Sequence, residues 1–131
     1  MKRVIWMSLL LSMTLFGETK VKVNPAETMQ ALEASMSMIQ KGFLYNNKTM
    51  LSDAITSMKN KLGDIDSFII ENEEDKDFDA KAYATKETKA ILALVNYMEK
   101  LYNEDKKTDA LEAYINTLSR CVVCHKVIRK W

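Results

Sequence analysis

Both cysteines and the only histidine of the chain fall within five consecutive positions, Cys121-Val122-Val123-Cys124-His125. A C-x-x-C-H run is the attachment signature of a c-type haem. Two thiols three residues apart on a helix lie on one face, where they can add to the two vinyl groups of one porphyrin. The adjacent imidazole then falls under the iron as its proximal ligand. Two rival chemistries use the same residues. Cys121 and Cys124 could form a local disulfide, although a thioredoxin-type redox pair calls for a βαβ setting and no strand precedes the motif. Zinc is the other rival, but two cysteines and one histidine offer three ligands at most, packed too close to surround a tetrahedral ion.

Helices must carry this motif, because beyond residue 17 the chain has one proline and two glycines among many Ala, Leu, Met, Glu and Lys, the composition of an all-helical protein. Four segments follow from the apolar spacing. The first opens with Asn24 as N-cap, Pro25 at the first helical position and Glu27 in the first turn. Its stripe runs Met29, Leu32, Met36, Ile39, Phe43, and Asn46 and Asn47 end it. The second, about 49–71, carries Leu51, Ile55, Met58, Leu62, Ile65 and Ile69, with Gly63 as a candidate bend. An acidic stretch from Glu71 to Asp79 reads as a solvated loop. The third, about 80–103, presents Tyr83, Ile91, Leu94, Val95, Met98, Leu101 and Tyr102. The fourth, about 107–129, starts near Thr108 or Asp109 and presents Leu111, Tyr114, Leu118, Cys121, His125 and Ile128. Tyr83, Tyr97, Tyr102 and Tyr114 read as core residues with one hydroxyl partner each. Links this short make neighbouring helices run in opposite directions, so the expected fold is all-α: an antiparallel up-down-up-down four-helix bundle with covalently bound haem.

The N-terminus has the layout of a secretory signal peptide: Lys2 and Arg3, then the apolar run Val4 to Phe16, then Gly17. That run is too short to span a bilayer. The expected organisation is a signal peptide over 1–17 and one bundle domain over 18–131, exported to the periplasm, where covalent haem attachment takes place in bacteria. If cleavage fails, the same segment becomes a membrane anchor. The chain holds 19 basic and 18 acidic residues, and the signal takes two of the basic ones with it. A near-neutral domain has no cationic excess to neutralise phosphates, which argues against nucleic acid as a partner.

Over residues 18–131 the chain resembles the cytochrome c′ family, the class II c-type cytochromes: exported four-helix bundles whose haem motif lies near the C-terminus. The resemblance rests on Cys121-x-x-Cys124-His125-x-x-x-Arg129, where the family commonly has a basic residue four positions after the histidine, and on Met29 with Met36 seven residues later. It implies Met29 as the distal residue and Met36 as a core or pocket residue. Two positions depart from the family pattern. Ile128 stands where an aromatic is usual, and Pro25 stands four residues before Met29, where many members carry an arginine near a propionate.

Geometry points the same way. In an antiparallel bundle the end of the fourth helix lies beside the start of the first, so His125 and Met29 come to similar height on inward faces. Met36 lies seven residues deeper, roughly 10 Å along the axis. Ordinary core packing remains the competing role for Met29. Cofactor contacts are therefore expected from Cys121, Cys124, His125, Met29, Leu32, Met36 and Arg129, with His125 and Met29 on the iron of one haem c per chain.

With no second histidine in the chain, bis-histidine ligation within it is impossible. Met–His ligation raises the reduction potential and suits single-electron transfer. A vacant site walled by Met29, Leu32 and Met36 would instead bind small uncharged gases such as NO or CO. No distal His or Arg is placed to cleave an O–O bond, so an enzyme is not expected. Arg120, Lys126, Arg129 and Lys130 surround the motif. They read either as a rim that steers an acidic redox partner or as cations at a helix C-terminus. Bundles of this class often pair through their first two helices, which leaves a homodimer among the expected partners.

Overall fold

The structure, a computed structural model, describes residues 23–68, 70 and 78–130. Residues 1–22, which include the segment expected to be a signal peptide, Ile69, most of the acidic stretch and Trp131 lie outside the described residues. Among those described, regular structure is helical throughout: α1 (Pro25–Leu44), α2 (Lys48–Asp64), a 3-10 turn (Ile65–Ser67), α3 (Ala80–Asn103) and α4 (Lys107–Arg129).

Caps fix the boundaries. The Asn24 side chain accepts the Ala26 N–H and donates to Glu27, with Pro25 in the first turn. Asn47 accepts the Met50 N–H and Asp79 the Ala82 N–H, which starts α2 and α3. The α1–α2 and α3–α4 turns are built alike. Asn46 (φ 48°) and Asp105 (φ 59°) take the left-handed conformation, and two backbone bonds close each helix end, Asn47 N–H to Gly42 O with Asn46 N–H to Phe43 O, and Lys106 N–H to Leu101 O with Asp105 N–H to Tyr102 O. Asn and Asp tolerate that conformation better than most residues.

The helices pack mainly in two pairs, α1 with α2 and α3 with α4. Ser35 of α1 meets Ser57 of α2 at 3.3 Å, and further along Gly42 lies against Leu51. Glu87 of α3 pairs with Arg120 of α4, and Lys59 of α2 pairs with Glu99 of α3 at 2.5 Å. The core holds Ile39, Leu51, Ile55, Met58, Leu62, Val95 and Met98. α1 and α4 meet only sparingly. At one end Phe43 of α1 packs edge-on against Tyr102 and Tyr114; towards the other end the space between the helices opens into a cavity.

The structure departs from four of the expectations. α2 does not run to residue 71: it ends at Asp64 and gives way to the 3-10 turn, and Phe68 is extended. Gly63 sits one residue from that end rather than at a bend within a longer helix. On α4, Leu111 and Leu118 are 42 % and 44 % exposed, and the fully covered positions are Ala110, Ala113 and Thr117. Tyr97 is exposed rather than core, Tyr83 and Tyr114 are half-buried, and Tyr102 is buried.

Candidate functional site

The cavity has a volume of about 540 Å³ and is bordered by all four helices and the 3-10 turn. That lies within the range of about 300–1,000 Å³ usual for small-molecule and cofactor sites. α4 contributes Cys121, Cys124, His125, Ile128 and Arg129 to its wall. α1 contributes Pro25, Ala26, Met29 and Leu32. Both helices end here, with the last two turns of α4 alongside the first two of α1. Met58 and Leu62 come from α2, and Ala84, Thr88 and Ile91 from α3. Ile65, Phe68 and Ile70 complete the wall.

The segment after α2 is pinned in place by polar contacts to α3. Lys81 Nζ donates to the carbonyls of Asp66 and Phe68, and the Thr85 hydroxyl donates to the Asp66 carboxylate at 2.9 Å. These bonds hold Ile65 and Phe68, both buried, against the cavity. Thr88 satisfies its own hydroxyl by donating to Ala84 O at 2.8 Å. The polar side chains on the wall are therefore few: the two thiols, His125, Thr88 and Arg129.

Six of the seven residues expected at the cofactor thus share one cavity: Cys121, Cys124, His125, Met29, Leu32 and Arg129. Met36 does not. It is 7 % exposed and belongs to the core beyond the cavity wall, as its position two turns deeper on α1 requires. Several wall residues were not singled out from the sequence. Met58, Leu62, Ile65 and Ile91 stood on apolar stripes that gave them no role beyond core. Phe68, Ile70, Ala84 and Thr88 carried no periodic signal. Pro25 was read as a helix start, and it is also part of the wall.

The electrostatics favour neutral groups. Burial, then the neighbouring Cys124, pushes the Cys121 thiol up to about 11. Burial, then the Glu87 carboxylate, raises Cys124. Burial, then Arg129, lowers His125 below its ordinary value, keeping the imidazole neutral. Both thiols are free and half-buried. They sit late on α4, far from the helix N-terminus that lowers thiol pKa in redox C-x-x-C motifs. A dithiol of this kind is a poor thiol–disulfide exchanger at neutral pH. Among the described residues no group of three or more His, Cys, Asp or Glu side chains is arranged to hold a metal ion, so a protein-only zinc cage has no constellation. A haem asks less of the chain, since its ring supplies four nitrogens and only axial ligands remain. The residues present fit such a group: a neutral imidazole, two protonated thiols on the same helix, and an apolar wall. No helix among the described residues is long and apolar enough to cross a membrane. No protein-family model matches the chain, and no curated protein matches it at a significant level.

Proposed function

We propose that this chain is an exported, periplasmic monohaem c-type cytochrome of the cytochrome c′ kind, which transfers single electrons and is not an enzyme. The observation that carries the reading is the convergence of Cys121, Cys124 and His125 on one apolar cavity with Met29 on its wall. The fold inferred is an antiparallel up-down-up-down bundle. It is supported by the contacts Ser35–Ser57 and Gly42–Leu51, whose numbering falls along one helix as it rises along the other.

Each thiol would form one thioether, its S–H adding across a C=C bond so that sulfur and hydrogen both end on carbon and no oxidant is consumed. Protonated, weakly nucleophilic thiols suit a bond that forms once rather than repeated exchange. His125 supplies the proximal nitrogen, and its lowered pKa leaves that nitrogen free to bind. When bound, the haem supplies a one-electron ferric/ferrous couple. Met29 is the distal ligand in this reading.

A second reading keeps the haem and leaves the distal position vacant, so that small gases such as NO or CO bind there. It is favoured by the wall around Met29, where Leu32, Ile65, Phe68 and Ile70 are all apolar. Ferric spectra of the wild type and Met29→Ala at one pH separate the two. With Met29 on iron, the ferric wild type is low-spin and the ferric variant becomes high-spin, while the reduced variant takes up CO faster and the potential falls. A high-spin wild type whose spin state is unchanged in Met29→Ala removes the distal assignment and favours gas binding. The partners inferred are a redox protein and, for the second reading, the gas; a homodimer is a further partner to test by sedimentation.

A further inference from the structure

Among the described residues one charged side chain is buried. Glu87 of α3 is 8 % exposed, and its carboxylate accepts a hydrogen bond from Arg120 at 2.9 Å. The sequence places Arg120 among the cations around the motif and gives Glu87 no role; neither lines the cavity, and together they line a separate hollow between α3 and α4. Glu87 is flanked by Ala84 and Thr88, which line the cavity. Arg120 immediately precedes Cys121, and its own side chain is half exposed. The charge on Glu87 is felt at the attachment segment, where it adds to burial in raising the Cys124 thiol. It also adds to burial in raising Tyr83, an effect that Arg120 opposes. A buried carboxylate and a solvated guanidinium do not cancel at a distance, because solvent screens the exposed partner more strongly.

We propose that the Glu87–Arg120 pair sets the reduction potential of the haem held by Cys121 and Cys124, an inference that rests on the function proposed above. Ferric haem carries one more positive charge than ferrous haem. The Glu87 carboxylate, buried between α3 and α4 one residue from Thr88 of the cavity wall, favours the ferric state and lowers the potential. Arg120 offsets part of that charge. The alternative role is purely mechanical, a fastening of α4 to α3 beside the attachment motif.

Spectroelectrochemical titration of the haem-loaded full chain at one pH distinguishes the two, using Glu87→Gln, Arg120→Gln and the double variant. Glu87→Gln should raise the potential and Arg120→Gln should lower it. Each shift is expected to be about tenfold in the ferric/ferrous equilibrium constant, which for one electron is about 59 mV. The double variant should lie closer to the wild type than either single one, and Glu87→Asp and Arg120→Lys, which keep the charges, should restore it. Lowered melting temperatures with unchanged potentials, or shifts of the same sign in both single variants, would overturn the proposal. Should Glu87→Gln fail to accumulate, Arg120→Gln decides alone, and an unchanged or raised potential refutes the pair. A wild type without covalent haem, seen by haem stain before any titration, would instead overturn the function reading and this inference with it.

Discussion

A thiol inside a helical bundle is governed first by its loss of water, and at Cys121 that loss dominates, holding the group protonated to about 11. In the haem-free chain, alkylation at pH 8 should therefore be slower at both cysteines than in a short peptide of the same sequence. Mass mapping reads this directly, and peptide-like rates would show that the thiols are not sheltered. His125 shifts the other way, with burial and Arg129 both disfavouring its charged form. The unfolded chain then binds the proton more readily than the folded one, so the contribution to stability is present above the ordinary value of 6.5. It is lost as pH falls through the lower folded value. Urea midpoints of the haem-free chain should drop on acidification below about pH 6.5, and His125→Gln should flatten that dependence. The residue types that do the chemistry were legible in the sequence, because Cys121, Cys124 and His125 are adjacent and have no competitors. Glu87 was not legible: its burial comes from α4 closing over α3, a long-range event that no local pattern encodes.

Helix ends were legible for the same local reason. Asn24–Pro25 carries its cap signal in the sequence, and α1, α3 and α4 begin and end close to where the pattern puts them, whereas the caps of α2 and α3 at Asn47 and Asp79 emerge from the structure. Helix faces were harder. α4 has apolar residues on more than one side, and its covered positions are Ala110, Ala113 and Thr117 rather than Leu111 and Leu118. An apolar stripe identifies a buried face only when the other faces are polar. Close approach governs the α1–α2 pair, where a Cβ added at Gly42 would come within 2.8 Å of the Leu51 Cβ. Gly42→Ala should push the two helices apart and cost about 1–3 kcal/mol, read as a lower denaturant midpoint with little change in m. Gly63→Ala, whose Cβ meets nothing within 4 Å, is the control and should be neutral or slightly stabilising, since Ala is the better helix former.

At the scale of the molecule, a well-packed core of α1, α2 and α3 side chains adjoins a cavity where α1 and α4 hardly touch. In the function proposed above, the cavity, the paired thiols and the neutral imidazole are one arrangement that a covalent haem would complete in an exported domain. The intact mass of the protein purified from the periplasm of a host able to mature c-type cytochromes tests that claim most directly. The account predicts a single species whose mass equals the chain cleaved near Gly17 plus one haem, unchanged by reductant. A polypeptide without added mass, or one lighter by two hydrogens that reductant restores, would contradict it and leave Cys121 and Cys124 as free thiols or as a local disulfide.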